Sequence, residues 1–241
     1  MKRIIVNDYE EDDDEHARRR LPKPSKTKPA KLDQIKFRNA SHCMDIARGM
    51  WQAGMHGNNA VSKMEAIQLL RRGTGTYPRD AGMKCVLASY LRQDEPLDDR
   101  KIEEILALAE DAYKLNPLNV HCVIAFGKAH DVAAQRKKAF KQDASVHYHK
   151  MIEIGLIMTK RLQPKDPKTI PDASRSDRIF WELLANGYLG IQDTASAVEA
   201  AWKVLEIKPD SPFFEKIIRC HPPRNDGPKD PGRLDHSKGP S

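Results

Sequence analysis

An all-α fold is predicted, a stack of antiparallel helical hairpins with a polar tail at either end, and three observations predict it. Between Gln34 and Cys220 apolar residues recur three and four apart, and β-branched alternation is absent. Prolines stand just past the ends of amphipathic segments, at Pro78, Pro117, Pro164 and Pro209. Outside this region the chain is charged and rich in Pro and Gly, without periodicity.

The totals agree with one helical domain plus tails. The 241 residues suffice for a single sizeable core, and 39% hydrophobic against 31% charged residues implies that part of the chain never packs. A balance of 41 Lys plus Arg against 34 Asp plus Glu gives +7, which favours acidic partners without choosing between nucleic acid, phospholipid and acidic protein. Cys43, Cys85, Cys122 and Cys220 are far apart and form no C-x-x-C pair, so they are expected as reduced packing residues of a cytoplasmic protein rather than a disulfide or zinc framework. Ile4, Ile5 and Val6 are too short an apolar run for a signal peptide. No window approaches the roughly 18–20 apolar residues that cross a bilayer, so no membrane partner is expected.

Residues 1–33, acidic and then basic with "DYEEDDDEHARRRLPKPSKTKPAK", are expected as a disordered tail, as are residues 221–241 with "HPPRNDGPKDPGRLDHSKGPS". In between, helical periodicity predicts segments over Leu32–Met55, Asn59–Arg72, Arg79–Gln93, Asp98–Leu115, Leu118–Lys137, Ala139–Leu162, Ser176–Gly190, Thr194–Ile207 and Pro212–Cys220. Asp193 before Thr194 is a helix-opening residue. Gly73–Pro78 and Gln163–Asp172 read as breaks, because Gly frees the backbone and Pro removes a donor.

The most patterned stretch is "FWELLANGYLGIQDTASAVEAAWKVLEIKPDSP", from Phe180 to Pro212. Trp181, Leu184, Ala185 and Tyr188 fall on one helical face, Ala197 lies on the next helix, and Pro209 follows it. This resembles the tetratricopeptide repeat, a helix–turn–helix unit of about 34 residues with a W-x2-L-G-x2-Y, A, P signature. The stretch departs from the signature where the family often has an aromatic, since Ala201 stands there with Trp202 beside it. Ala66, Leu70 and Gly73 precede Pro78 at the family's spacing, and Ala109 and Ala112 precede Pro117. The resemblance covers roughly residues 34–220, strongest at 178–211, and implies a right-handed α-solenoid of about four units.

It also implies a concave groove, lined by the first helix of each unit, that receives a peptide or helix from another protein. Groove-facing spacing falls on Trp51 and Met55, on Cys85, Ser89 and Arg92, on Cys122, Phe126 and His130, and on Glu182 and Asn186. Trp51, Met55 and Phe126 suit apolar anchors, Asn186 a peptide backbone and Arg92 an acidic group. Family members that hold chaperone tails use Lys and Asn where this chain has Trp51 and Met55, which argues against that ligand.

No catalytic set or cofactor site is found. "GTGTYP" lacks the Lys and helix of a phosphate loop, and His147 and His149, two apart, point in different directions. The expected function is a non-enzymatic scaffold or adaptor that binds a protein segment. The alternative is an RNA-associated scaffold using Arg18, Arg19 and Arg20 together with Arg136, Lys137, Lys138 and Lys141 around Phe140.

Overall fold

The starts of most of the helices are fixed by short polar side chains that accept from backbone N–H groups with no partner inside the helix. The computed structural model describes residues 35–56, 60–162 and 175–221. Within them lie α1 (Ala40–His56), α2 (Ala60–Thr76), α3 (Ala81–Gln93), α4 (Asp99–Leu115), α5 (Val120–Ala139), α6 (Ser145–Leu162), α7 (Arg175–Gly190), α8 (Thr194–Ile207) and α9 (Pro212–Cys220). Asp80 accepts from Met83 N at 2.7 Å and Asp98 from Lys101 N at 2.7 Å. Asn119 accepts from His121 N at 2.9 Å, and Asp193 from Ser196 N at 3.1 Å. Each such cap contributes about 1 kcal/mol. These helices all fall in the unit Phe37–Ser241; in the unit Met1–Lys36 only residues 35 and 36 are described. The segment expected as disordered at 1–33 lies outside the described residues, as does that at 221–241 beyond His221 and the expected break at Gln163–Asp172.

Three expected boundaries move. The first helix begins at Ala40, not Leu32, because Asn39 caps it, accepting from His42 N at 2.9 Å. The second helix runs through the expected break and ends at Thr76. Thr74 and Thr76 donate to the carbonyls of Arg71 and Arg72 at 2.9 and 3.0 Å, while Tyr77 N still reaches Gly73 O at 2.8 Å. Gly73 therefore serves packing: a Cβ there would stand 2.6 Å from Met83 Sδ and 2.7 Å from Cys43 Sγ. Between α5 and α6 the chain leaves the helix later than expected, at Phe140. Lys141 takes a left-handed φ of 55°, and Asp143 accepts from Ser145 N at 2.8 Å to open α6.

The architecture is an all-α stack of helical hairpins, α1–α2, α3–α4, α5–α6 and α7–α8, with α9 closing against α8. The odd-numbered helices also touch in succession, α1 on α3, α3 on α5 and α5 on α7; the even-numbered ones form no such row among the described residues. The core lies between the odd helices and the even ones, where Leu69, Leu70, Met83, Leu87, Leu91, Ile105, Leu183 and Leu184 are buried. In the stretch that carries the repeat signature, Ala185, Ala197 and Ala201 are fully buried, while Trp202 is turned outward and 49% exposed. Where the signature has a second-helix aromatic, Ala201 belongs to a cluster with Leu184, Val198, Val204, Phe214 and Ile217.

Close approach is tightest where α6 meets α7. A Cβ on Gly155 would stand 2.5 Å from Leu184 Cγ and 3.2 Å from Phe180 O; one on Gly187 would stand 2.7 Å from Ile152 Cγ1. Gly49, on α1, faces open space. Gly155→Ala is therefore expected to lose roughly 1–3 kcal/mol of unfolding free energy through overpacking. Gly49→Ala should gain about 0.5–1 kcal/mol from helix propensity. Denaturant unfolding of the two variants reads both signs.

Candidate functional site

Along the row of odd helices lies a cavity of about 410 Å³, lined mainly by α1, α3 and α5 and floored by Ile105 of α4. From α1 come Met44 and Arg48, from α3 Cys85, Val86, Ser89 and Arg92, and from α5 Cys122, Ile124, Ala125 and Lys128. Asn119 and His121, at the start of α5, close one side. Three cations from three successive helices of the row thus line one concavity, and no carboxylate is among the described residues that line it.

Each cation is positioned differently. Arg48 is exposed and pairs with Asp45 one turn back at 3.2 Å, a surface contact of about 0–1 kcal/mol. Arg92 is half-buried near the end of α3. Lys128 is buried: its ammonium lies 3.4 Å from a Glu182 oxygen on α7, whose other oxygen lies 3.4 Å from Arg178. A buried pair of this kind yields little net stability, but removing one partner strands the other, so it fixes how α5 and α7 meet.

The residues expected in the groove divide. Ser89 and Arg92 line the cavity with Cys85 and Cys122. Trp51 does not: it is buried, stacked on Tyr90 of α3 with ring centroids 4.1 Å apart. Phe126 is likewise buried, stacked at 4.9 Å on Tyr113 of α4 and edge-on to His130. Two of the three expected apolar anchors, Trp51 and Phe126, are therefore packing residues that join one helix to the next. The reason is rotational: on α5 the cavity takes residues 121, 122, 124, 125, 128 and 129, so 126 and 130 turn toward α4 and α6. Glu182 is buried behind Lys128, Asn186 is half-buried, and Met55 is 51% exposed at the end of α1; none of these lines the cavity.

His130 meets His147 of α6, with Nδ1 atoms 3.0 Å apart, so one ring donates and the other accepts, and the accepting ring is neutral. Burial first, and then His147 and Lys150, push His130 down to about 4; burial and Lys137 lower His147. His149 points elsewhere, its Nδ1 2.8 Å from Ser145 O, in line with the expectation that the two histidines do not converge. Of the basic cluster, Arg136 reaches Asp99 of α4 at 2.7 Å and lies 4.2 Å over the Phe140 ring, so it joins α4 to the end of α5. Lys138 and Lys141 are exposed and Lys137 half-buried. Arg18, Arg19 and Arg20 lie outside the described residues.

Two cavity cations, Arg48 and Lys128, were not expected from the sequence. Lys128 had a signal, a lone charge in "CVIAFGKAH", and Glu182 its counterpart in "FWELLA". Arg48 had none, since a surface Arg four residues after Met44 is ordinary on any helix.

Fold and cavity together define a helical-hairpin repeat protein with a cation-lined concave face. No protein family model matches the chain, and no curated protein matches it. Among solved structures the chain is similar to a thermophilic tetratricopeptide repeat protein of Thermus thermophilus, at 17% identity and a TM-score of 0.44, over 76% of this chain and 81% of that one. Among the described residues no helix is long and apolar enough to cross a membrane.

Two outcomes follow from this geometry. Trp51→Ala should cost roughly 3–5 kcal/mol, whereas Met55→Ala should stay within about 0.5 kcal/mol, by thermal or denaturant unfolding. Because the folded state holds His130 below its ordinary value, the unfolded chain takes up protons first on acidification. Stability carried by this pair is complete above about pH 6.5 and declines as pH falls toward 4. His130→Phe should flatten the fall in melting temperature between about pH 6.5 and 4.5 relative to the parent chain.

Proposed function

We propose that this protein is a non-enzymatic scaffold whose odd-helix face receives an acidic segment of a partner protein, apolar side chains against Met44, Val86 and Ile124 and carboxylates toward Arg48 and Arg92. The observation that supports it is the meeting of Arg48, Arg92 and Lys128 in one cavity with no carboxylate among its described lining residues. Arginine suits carboxylates because its planar fork can bond both oxygens at once. Lys128, already shared with Glu182, adds positive potential without needing to move. The domain limits that go with this reading are a helical repeat region over 34–220 between two polar tails, in the cytoplasm.

Fluorescently labelled peptides carrying Glu and Asp between apolar residues test this, beside scrambled basic peptides and a single-stranded RNA oligonucleotide. The acidic peptides are expected to bind, and Arg48→Glu with Arg92→Glu to weaken them at least about tenfold at unchanged helicity, the effect of losing and reversing two charge contacts. Raising salt from about 50 to 200 mM should weaken the peptide complex only several-fold, against roughly a thousandfold or more for a ligand held through many phosphates. Preferential RNA binding with the steep salt response, insensitive to Arg48 and Arg92 but lost with Lys137, Lys138 and Lys141, would replace this reading by the RNA-associated one.

A further inference from the structure

We propose that Cys85 and Cys122 form a reversible disulfide site at the wall of the odd-helix cavity, closed by a hydroperoxide. The two sulfurs, on α3 and α5, stand 3.5 Å apart, with the Cys85 S–H directed at the Cys122 sulfur. A disulfide bond is about 2.0 Å long, so closure asks the sulfurs to approach by roughly 1.5 Å. The hydrophobic residues clustered with the pair are all small, Ala112 of α4 with Ala81 and Ala125. Both cysteines line the cavity, which admits a small oxidant to an otherwise buried pair. The other two cysteines are not placed for this: Cys43 is in the core against the Leu69 carbonyl at 3.7 Å, and Cys220 is exposed on α9.

The chemistry balances with one peroxide. Cys85, 8% exposed against 1% for Cys122, is the sulfur that the cavity presents. Its thiolate attacks one peroxide oxygen; an S–O bond forms, the O–O bond breaks, and the departing hydroxide takes the thiol proton to become water. The Cys122 sulfur then attacks the Cys85 sulfenic acid, the S–S bond forms, the S–O bond breaks, and a second water leaves with the Cys122 proton. Two thiols and one hydrogen peroxide give one disulfide and two waters, each sulfur losing one electron. Burial, then the neighbouring Cys122, pushes the Cys85 thiol well above its ordinary value, so closure is slow at neutral pH and quickens as pH rises.

The bond would tie α3 to α5 across the whole of α4 and hold Ser89 and Arg92 at a fixed distance from Lys128. The site stands whatever the cavity receives. Its test uses the full chain carrying Cys220→Ser, treated while folded with hydrogen peroxide at mildly alkaline pH. Expected are the loss of two titratable thiols, a mass lower by two hydrogen atoms, and a linked pair of peptides containing Cys85 and Cys122, all reversed by dithiothreitol. The melting temperature should rise by roughly 5–15 °C, as closing a loop of this length predicts. Adding Cys122→Ser, with helicity checked by circular dichroism, should replace the link by oxygen added at Cys85. Folded protein that keeps both thiols, separate oxidation of each sulfur without a link, or linkage only after unfolding in guanidinium would each overturn the proposal.

Discussion

The row of α1, α3, α5 and α7 is held by a specific side-chain or backbone joint between each neighbouring pair of helices. Trp51 on Tyr90 joins α1 to α3 through two flat rings at 4.1 Å. Cys85 and Cys122, with alanines around them, join α3 to α5. Gly127, where any Cβ would collide with Leu183, joins α5 to α7 beside the Lys128–Glu182 pair. Rings, sulfurs and bare backbone are thus three different chemistries, one at each step of the row. If any joint were filled by a long aliphatic chain, the row would splay at that step and the concave face would lose its continuity.

What the joints consume determines what the face can offer. Large apolar side chains on the odd helices are drawn into contacts between helices, because burial stabilises a Trp or Phe by more than any solvent-facing position can. The cavity is left with medium apolar groups, Met44, Val86 and Ile124, and with three long cationic side chains, of which Arg48 stays exposed, Arg92 is half-buried and Lys128 is buried against Glu182. This is why the face is cationic rather than aromatic, and why aromatic anchors assigned from spacing alone fall elsewhere in this protein. On α5 a rotation by one position separates 122, 125 and 129 on the cavity side from 126 and 130 on the packing side, a difference of about 100° that helical periodicity by itself leaves open.

The parts of the fold legible in the sequence were those fixed by local chemistry. Asp193 before "TASAVEAA" and Pro212 at the start of α9 give boundaries that coincide with the helices, since a cap or a fixed φ acts within one turn. Gly73 misled because the same residue that ends a helix in one context permits close packing in another, and only Met83 and Cys43, brought near by tertiary contact, decide which. Ser89 and Arg92, expected from the groove-facing spacing of the repeat, do line the cavity. Arg48 was not legible, because its role depends on where α3 and α5 place their own cations.

The buried Lys128–Glu182 pair has a consequence for the cavity that its modest net stability conceals. Lys128 is held from behind by Glu182, and Glu182 in turn by Arg178, so the ammonium stays at the wall rather than extending into solvent. Its desolvation is already nearly complete in the folded chain. A carboxylate arriving in the cavity therefore meets a cation that loses little further water or rotamer freedom, whereas Arg48, exposed and loosely paired with Asp45, must give up both. On the proposed reading, a fixed charge and an adaptable one would divide the work of recognition: Lys128 would set the potential that draws an anion in, and Arg48 and Arg92 would supply the directional contacts that discriminate among anions.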